Sequence, residues 1–301
     1  SSGPLAPLAN WSLQNGLIRK GMERALGISA KRSLPAFAST PFTKWFQSRP
    51  RNTQHAIRNT RQIVLFTDTY TTYNHPRIGA AAVELLEAAG CEIMLSGVTD
   101  CGRPYLSKGL VGKARQSARR VLDKLAPYAQ EGVPVIFLEP SDLSAVLDDY
   151  ASLLPQDERV PLLAARSLSL EQYIAQLADA GELNLTFTGE PRQILLHGHC
   201  HQKALIGTGP ARRALSLPPN YTVTELDTSC CGMAGSFGYE AEHYDISLKM
   251  AERRLLPAAR AADADTIIVA PGTSCRHQIA DGSGRIALHP AEVLRDALRQ
   301  T

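Results

Sequence analysis

The 301-residue sequence lacks any apolar run of the roughly 18–20 residues needed to span a bilayer, which argues against an integral membrane protein. No charged, apolar and small-residue series stands at the N-terminus, so no secretory signal peptide is predicted. Strong charge is also missing, because the formal net charge of +3 is too mild to indicate a nucleic-acid partner. We therefore expect a cytoplasmic protein, with at most peripheral association at the inner face of the cell membrane.

Disorder is excluded by composition, since 44% of the residues are hydrophobic and 20% are charged. Cysteine is too scarce for a disulfide scaffold, with six residues in the whole chain. These cysteines are unevenly placed, at Cys91, Cys101, Cys200, Cys230, Cys231 and Cys275. In a chain without a predicted export signal, such clustering indicates metal binding or redox chemistry rather than disulfides.

The order of predicted elements indicates an α/β fold. Short apolar runs typical of strands alternate with helical patterns of 10–25 residues, as in β-α-β units, and this predicts mainly parallel sheets. The predicted strands are 62–66, 92–95, 133–138, 193–197, 221–227 and 265–270, with a short extra strand at 286–288. The predicted helices are 76–90, 106–130, 143–154, 168–181, 204–216, 239–262 and 290–299. Ahead of them, we expect a flexible leader over 1–10, one amphipathic helix over 11–28 and an irregular arm over 29–60 that packs on this chain or on a neighbour.

An internal repeat divides the region after the arm. QIVLFTDT (62–69) matches QILLHGHC (193–200), TDCGRP (99–104) matches SCCGMA (229–234), and EPSD (139–142) matches GTSC (272–275). Three matches in the same order on the same predicted elements imply two similar lobes related by a pseudo-twofold axis. The predicted domains are the N-terminal helix and arm (1–60), a cysteine-depleted first lobe (61–185) and a second lobe with the candidate site (186–301).

Four cysteines of the second lobe each follow a predicted strand. Because the carboxyl ends of parallel strands meet at one edge of a sheet, the thiols of Cys200, Cys230, Cys231 and Cys275 are expected to converge. Four soft thiolates suit an iron–sulfur cluster or zinc. The glycines that begin with Gly232 favour a cluster, since a bare backbone can approach a bulky group and donate N–H groups to its sulfurs. The Cys-x-x-Cys pairs of compact zinc sites are absent.

The two cysteines of the first lobe are not part of this set. Cys91 starts a strand and is interpreted as a core residue. In the first lobe, the positions that match the four cysteines are Thr69, Asp100, Cys101 and Asp142. Cys101 is therefore either the remnant of a matching site or a peripheral ligand. A disulfide between Cys230 and Cys231 is a minor alternative, because it would close a strained ring.

Histidines surround the first of the four cysteines. His197, His199 and His201 alternate, which on an extended chain puts them on one side and Cys200 on the other. We expect His197 to be buried, and we take His199, His201 and Lys203 as candidates for a proton relay or an acceptor site. His277 is a further candidate for the same pocket. The others are expected to be surface or capping residues: His55, His75, His243 and His289.

Three segments resemble a known family. HGHCHQKAL (197–205), SCCGMAGSFGYEAEHYD (229–245) and SCRHQIADG (274–282) look like the cysteine-rich CCG-repeat domain. That domain occurs in heterodisulfide reductase and in the iron–sulfur subunits of glycolate oxidase and anaerobic glycerol-3-phosphate dehydrogenase. It also occurs in fused FAD-linked D-2-hydroxyacid dehydrogenases. The CGRP segment and the aromatic pair at 45–46 look most like the fused enzymes of the D-lactate or D-2-hydroxyglutarate type.

The resemblance implies a function in electron transfer. An iron–sulfur cluster, expected to be of the 4Fe-4S type, would be held by the four second-lobe cysteines and approached by Gly232. Electrons would pass from FAD, bound on a partner domain or subunit, to a quinone or another acceptor, and a ferredoxin-like module is a further expected partner. Asp100 and Asp142 depart from the family pattern, so a second cluster is not expected in the first lobe.

Two other functions are compatible with the same residues. In one, the cluster or the Cys230–Cys231 pair reduces a disulfide, as a thiol catalyst of the heterodisulfide-reductase type would. In the other, the chain is a cluster-less structural module that holds a flavoprotein through the arm at 29–60.

Overall fold

The computed structural model describes residues 2–50 and 61–299. It contains two four-stranded sheets, all parallel and flanked by helices, with further helices ahead of the first strand. The predicted α/β class is therefore confirmed. No helix in the described part of the chain is long and apolar enough to cross a membrane.

Both sheets have the same strand order. The first sheet runs β2–β1–β3–β4 and consists of β1 (Arg61–Leu65), β2 (Cys91–Leu95), β3 (Val135–Phe137) and β4 (Ser167–Ser169). The second sheet runs β6–β5–β7–β8 and consists of β5 (Arg192–Leu196), β6 (Tyr221–Glu225), β7 (Ile267–Val269) and β8 (Ala287–Leu288). Each strand of one sheet thus has a counterpart in the other, as the sequence repeat predicts. The boundaries at 60/61 and 185/186 stay predictions.

The region before β1 differs from the predicted leader and single helix. It forms α1 (Ala6–Gln14), α2 (Gly16–Leu26) and α3 (Phe42–Ser48). The prediction of one helix over 11–28 is wrong because Asn15 adopts an extended conformation and its side chain accepts the N–H groups of Leu17 and Ile18, which starts a new helix. The prediction of a flexible leader over 1–10 is wrong from Ala6 onward.

The first lobe contributes eight helices in the described part of the chain. They are α4 (Thr69–Tyr73), α5 (Pro76–Ala88), α6 (Arg103–Ser107), α7 (Val111–Gln130), α8 (Pro140–Ser144), α9 (Tyr150–Leu153), α10 (Arg159–Arg166) and α11 (Leu170–Asp179). A single helix over 106–130 is wrong, because Gly109 takes a left-handed conformation (φ 69°) and ends α6. A wide π turn at 145–149 interrupts the helix predicted at 143–154. The strand β4 and the helix α10 were not predicted.

The helices of the second lobe are shorter than expected. They are α12 (Cys200–Leu205), α13 (Gly209–Leu215), α14 (Tyr244–Glu252), α15 (Leu255–Ala261), α16 (Thr273–Ser283) and α17 (Pro290–Asp296). The helix predicted over 204–216 is divided at Gly207, which has a φ of 72°. The long helix predicted over 239–262 is likewise divided, into α14 and α15.

A common hydrophobic core joins the two lobes. Buried strand residues of both sheets, such as Leu65 and Leu196, belong to one cluster. Across it, α5 packs on α17 and α11 packs on α13. Phe42 of α3 is fully buried in this core against α5, where a Cβ on Gly79 would lie 2.6 Å from its ring. The aromatic part of the arm therefore packs on this chain.

The arm also contacts the second lobe through one buried arginine. Arg32 is 1% exposed, and its guanidinium donates to Gly238 O at 3.0 Å and to Gln278 Oε1 at 2.6 Å. It also forms an ion pair of 3.3 Å with Asp281. A backbone bridge between Ile28 and Glu240 lies nearby. The arm is thus attached to both lobes, at α5 and beside the loop that carries two of the candidate cysteines.

Candidate metal centre

Three neighbouring strands bring the four second-lobe cysteines together. Cys200 is the first residue of α12, directly after β5, and the Cys230–Cys231 pair lies in the loop after β6. Cys275 lies in the first turn of α16, after β7. Since β5 pairs with both β6 and β7, the three connections leave the same edge of the sheet.

The thiols form a continuous chain of contacts. Side-chain hydrogen bonds link Cys200 to Cys230, Cys230 to Cys231, and Cys231 to Cys275. All six cysteines are free thiols, so Cys230 and Cys231 are not joined by a disulfide. The predicted convergence of the four cysteines therefore agrees with the structure. Their role as ligands stays a prediction.

Proton sharing divides the thiols into two kinds. Hydrogen bonds from Cys200 and Cys231, together with the Gly232 N–H, lower the pKa of Cys230 to about 2. A hydrogen bond from Cys231 likewise lowers the pKa of Cys275 well below its ordinary value. The two donors have raised pKa values in turn, because they hold their protons for their neighbours. Thiols with lowered pKa values are favourable metal ligands, and a bound cation would displace the protons of the other two.

The loop around the cysteine pair depends on Gly232. This residue has a φ of 88°, and its N–H donates to the sulfur of Cys230 at 3.3 Å. A Cβ here would lie 2.3 Å from the carbonyl oxygen of Ser247. Only glycine therefore allows the backbone both to turn towards the sulfur and to pack on α14.

His197 lies fully buried beside the site, as predicted. Its Nδ1 is 2.7 Å from Thr228 Oγ1, whereas its Nε2 has no hydrogen-bond partner among the residues that the structure describes. The imidazole is close enough to Cys275 to help lower the pKa of that thiol. A buried polar atom without a partner is costly. The Cys275 thiolate that a cluster or a metal ion would bind is an acceptor within reach of this imidazole, so the residues present are consistent with such a group.

The other histidines of the motif are arranged differently from the extended pattern. The chain turns into α12 at Cys200, so the alternation of His197, His199 and His201 ends there. The His199 Nδ1 accepts the N–H of His201 at 3.2 Å, and the two rings stack with centroids 5.4 Å apart. The Lys203 side chain is bound to the loop before the cysteine pair, because its Nζ donates to Thr228 O at 2.5 Å.

His277 pairs with the first lobe rather than with the thiols. Its Nε2 lies 3.1 Å from the Nε2 of His75, and its Nδ1 lies 2.7 Å from the Tyr239 hydroxyl. Burial and the nearby Arg276 lower the pKa of His277 to about 4 and that of His75 to about 3.

The four histidines expected at the surface or in caps differ in where the structure places them. His75 is half-buried and occupies the N-cap position of α5, although its side chain makes no capping hydrogen bond. His289 does cap α17, and His243 is half-exposed beside Glu240. His55 lies outside the described residues.

The first lobe repeats the geometry with different atoms. Asp100 Oδ1 accepts the N–H of Gly102 at 2.9 Å, as Cys230 accepts that of Gly232, and Gly102 has a matching φ of 89°. Cys101 donates its thiol proton to Asp142 Oδ1 at 2.7 Å, in the place of the Cys231–Cys275 contact. Burial and the Asp142 carboxyl raise the pKa of Cys101 well above its usual range. Whether Cys101 is a remnant or a peripheral ligand stays a prediction, while Cys91 is a buried core residue as expected.

Both sets of residues line one cavity of about 550 Å³. The second lobe contributes Cys200, Cys230, Cys231, His199 and His201, and the first lobe contributes Thr69, Asp100, Cys101, Glu139 and Asp142. The exposed Thr69 and Lys108 at its rim open it to solvent. Cys275 and Lys203 are not among the lining residues.

Glu139 is a residue of the site that was not predicted from the sequence. It is buried and its Oε2 accepts the N–H of Thr273 at 2.8 Å, which ties the end of β3 to the first turn of α16. Burial would raise its pKa, but the charge of His199, the bond from Thr273 and the charge of Arg276 together lower it. The one signal for it in the sequence is its position in the repeated motif, at the end of a strand.

Comparison with known proteins agrees with the geometry of the second lobe. Residues 194–280 match the family model of the CCG cysteine-rich domain. The second lobe contains a CCG domain. This stretch includes all four thiols, the Gly232 turn and the orphaned imidazole of His197.

Longer alignments with known proteins extend the similarity to the first lobe. The chain is 27% identical over 299 residues to one subunit of the anaerobic glycerol-3-phosphate dehydrogenase of Escherichia coli, covering 99% of this chain and 74% of the relative. It is 25% identical over 248 residues to D-2-hydroxyglutarate dehydrogenase of the same organism, covering 81% of this chain and 23% of that protein. Lactate utilization protein A of an Exiguobacterium species is 24% identical over 254 residues, covering 79% of this chain and 98% of the relative.

Proposed function

We propose that the chain is the iron–sulfur electron-transfer module of an FAD-linked D-2-hydroxyacid dehydrogenase of the D-lactate or D-2-hydroxyglutarate type. The names of its relatives support a component of an oxidoreductase, and the CCG domain supports a metal cluster. Electrons would arrive from a flavin on a partner domain or subunit and leave to a quinone or another acceptor. A ferredoxin-like module is the further partner in this proposal.

The convergence of four thiols at one edge of the second sheet carries the proposal. Cys200, Cys230, Cys231 and Cys275 would hold the cluster, which would be of the 4Fe-4S type, and such a group supplies one-electron storage when bound. The Gly232 N–H would remain directed at a ligand sulfur and would stabilise its negative charge. His199 and His201 line the same cavity and are proposed to relay protons at its wall. Lys203 holds the loop at Thr228 instead.

Flavin reoxidation tests this function. The chain, reconstituted with iron and sulfide without oxygen, is mixed with a reduced flavoprotein dehydrogenase, and the flavin absorbance is followed with ferricyanide as the final acceptor. We expect reoxidation to accelerate with the reconstituted chain and not with the same chain carrying Cys231→Ser. Equal rates with both proteins would contradict the proposal.

One observation favours a second candidate. Cys230 is half-exposed, lines the cavity and has a strongly lowered pKa, so it is also a suitable nucleophile for a disulfide. A thiol catalyst of this kind would turn over a disulfide substrate without iron. Turnover by the iron-free chain that is lost with Cys230→Ser would favour this candidate, and turnover unaffected by that substitution would exclude it.

A further inference from the structure

The cavity has two chemically different walls. Three thiols of the candidate metal centre line one side, and Cys101 and Asp142 line the other. A molecule that takes electrons in this cavity would therefore contact the first lobe as well. The cavity volume of about 550 Å³ lies within the range of roughly 300–1,000 Å³ typical of small-molecule sites.

Asp142 presents one oriented oxygen to this space. Its Oδ1 accepts the thiol proton of Cys101 at 2.7 Å, and Cys101 is itself held by the N–H of Arg103 at 3.3 Å. In the described part of the chain, no hydrogen bond engages Asp142 Oδ2. Because Asp142 lines the cavity, this second oxygen is available to a bound molecule.

The surroundings of Asp142 are acidic. Asp68, Glu139 and Asp100 lie close enough to repel its charge. Asp68 is 1% exposed, and its Oδ2 has no hydrogen-bond partner among the described residues. The pKa of Asp68 is itself raised to about 6, mainly by burial. The carboxyl group of Asp142 therefore lies in a position where a negative charge is poorly tolerated.

The nearest strong cations do not offset this repulsion. Arg103 is bound through Nη1 to both carboxylate oxygens of Asp149, at 2.9 and 2.7 Å. Arg276 donates to the backbone oxygens of Ala270 and Pro271. Burial, followed by the charge of Asp68, raises the pKa of Asp142 well above its ordinary value. Since Oδ1 already accepts the Cys101 thiol proton, a proton held by this carboxyl group has its place on Oδ2.

We propose that Asp142 is the proton donor to a quinone-class acceptor bound in the cavity, opposite the three thiols that line it. This inference rests on the proposed electron-transfer function and adds the acceptor class and the residue that protonates it. Reduction of a quinone to a hydroquinone consumes two electrons and two protons. The electrons come from the flavoprotein partner, and Asp142 gives one proton to a quinone oxygen, regains a proton from water at the open rim and then gives the second.

The proposal also gives a role to the first-lobe residue that stands at the position of Cys275. Asp142 stands where the second lobe has Cys275, so one lobe retains the thiol ligand and the other has an acid at the same place. Tyr70, Pro104 and Tyr239 supply apolar surface around the cavity for a quinone ring. General acids at such positions typically contribute about 10²–10⁴-fold to a rate.

The test compares two acceptors. The reconstituted full chain and its reduced flavoprotein partner are assayed with a water-soluble benzoquinone, which takes up protons, and with ferricyanide, which takes only an electron. For Asp142→Asn, which keeps an oxygen for the Cys101 thiol, we expect the ratio of the benzoquinone rate to the ferricyanide rate to fall by about 100-fold or more. Asp142→Glu should recover part of the ratio. The control Asp148→Asn, at an exposed position on the next turn, should keep it.

Infrared spectroscopy of the iron-free chain gives a readout that does not depend on activity. We expect a protonated carboxyl band at pH 7 that disappears in Asp142→Asn. Absence of that band, or an unchanged rate ratio in Asp142→Asn, would overturn this inference alone. Failure of the unsubstituted protein to pass electrons to either acceptor would overturn the proposed function and the proton-donor role with it.

Discussion

Individual side chains give the two equivalent sites different chemistry. In the second lobe, Cys231 and Cys275 bring soft sulfur to positions where the first lobe has a thiol bonded to a carboxyl group, Cys101 and Asp142. The backbone turn is nearly the same, since Gly232 and Gly102 have φ values of 88° and 89°. The difference in chemistry therefore comes from the side chains and not from the fold.

Single cysteine substitutions should show which of the two sites binds iron and sulfide. We expect Cys275→Ser to abolish the binding of iron and sulfide, because a serine hydroxyl does not ionise to replace the buried thiolate. Cys101→Ser serves as the matched control and should keep the full iron and sulfide content. Colorimetric iron and sulfide analysis after anaerobic reconstitution measures both. A loss of iron in Cys101→Ser would show that Cys101 is a ligand.

The Gly232 turn should be intolerant of a side chain even without a metal. Gly232→Ala places a methyl group 2.3 Å from the Ser247 oxygen, whereas Gly109, which has a φ of 69°, has open space around it. We expect Gly109→Ala to lower the free energy of unfolding by about 1 kcal/mol. Gly232→Ala should lower it by about 1–3 kcal/mol more. Urea unfolding of the iron-free variants measures the difference, and equal losses would contradict this packing.

At the scale of elements, the arm before the first strand supports the site from outside. Its α3 packs into the common core, and Arg32 reaches the 3₁₀ turn that follows the cysteine pair and the helix α16 that carries Cys275. The guanidinium is wholly buried and satisfies oxygen atoms from three separate segments of the second lobe.

Removing this arginine should destabilise the protein. We expect Arg32→Met to lower the free energy of unfolding by about 3 kcal/mol, because it removes the hydrogen bonds to buried oxygens and the cationic partner of Asp281. The control is Lys31→Met, since Lys31 is 67% exposed and its ion pair with Asp245 is 3.8 Å long. That change should cost less than about 0.5 kcal/mol. Thermal and urea unfolding distinguish the two, and similar losses would show that the arm is not anchored by Arg32.

The sequence predicted long-range features of the elements better than their ends. Apolar runs such as 62–66 and 193–197 identify the central strands, and their repeat predicts two equivalent sheets. The predicted helix ends are wrong where single residues act locally, as at Asn15, Gly109 and Gly207. The strand β4 is too short and polar to show a pattern, since its pairing with β3 depends on tertiary contacts.

The site was predicted in part for the same reason. The convergence of the four cysteines could be predicted, because the topology of a parallel sheet places the residues after its strands at one edge. The pairing of His75 with His277 and the hydrogen bond from the Thr273 N–H to Glu139 join residues 202 and 134 positions apart in the chain. No local pattern in one sequence reports such contacts.

At the scale of the whole molecule, buried polar contacts hold the two lobes together around the cavity. His289, which caps α17 through Nδ1 and the Ala291 N–H, donates from Nε2 to the Leu138 oxygen of the first lobe at 3.0 Å. Burial and Arg276 lower its pKa from 6.5 to about 3. The neutral ring thus joins the lobes, and a proton on Nδ1 would break the cap.

Stability should therefore fall in mild acid. Below pH 6.5 the unfolded chain binds a proton at this histidine that the folded chain does not, so the free energy of unfolding falls as the pH drops from 6.5 towards 3. His289→Asn keeps a capping oxygen and removes the group that binds this proton. We therefore expect the free energy of unfolding to decline less steeply from pH 6.5 towards 3. His243→Asn, at a half-exposed position, is the control. Urea unfolding across the range measures the slopes, and identical slopes in His289→Asn and the unsubstituted protein would contradict this contribution.

Metal analysis of the anaerobically reconstituted chain tests the proposed cluster most directly. We predict a brown protein that contains iron and acid-labile sulfide in equal amounts. It should give a paramagnetic signal on reduction, and Cys200→Ser, Cys231→Ser and Cys275→Ser should each abolish that signal. Stoichiometric zinc without sulfide, or an iron-free protein after reconstitution, would contradict it.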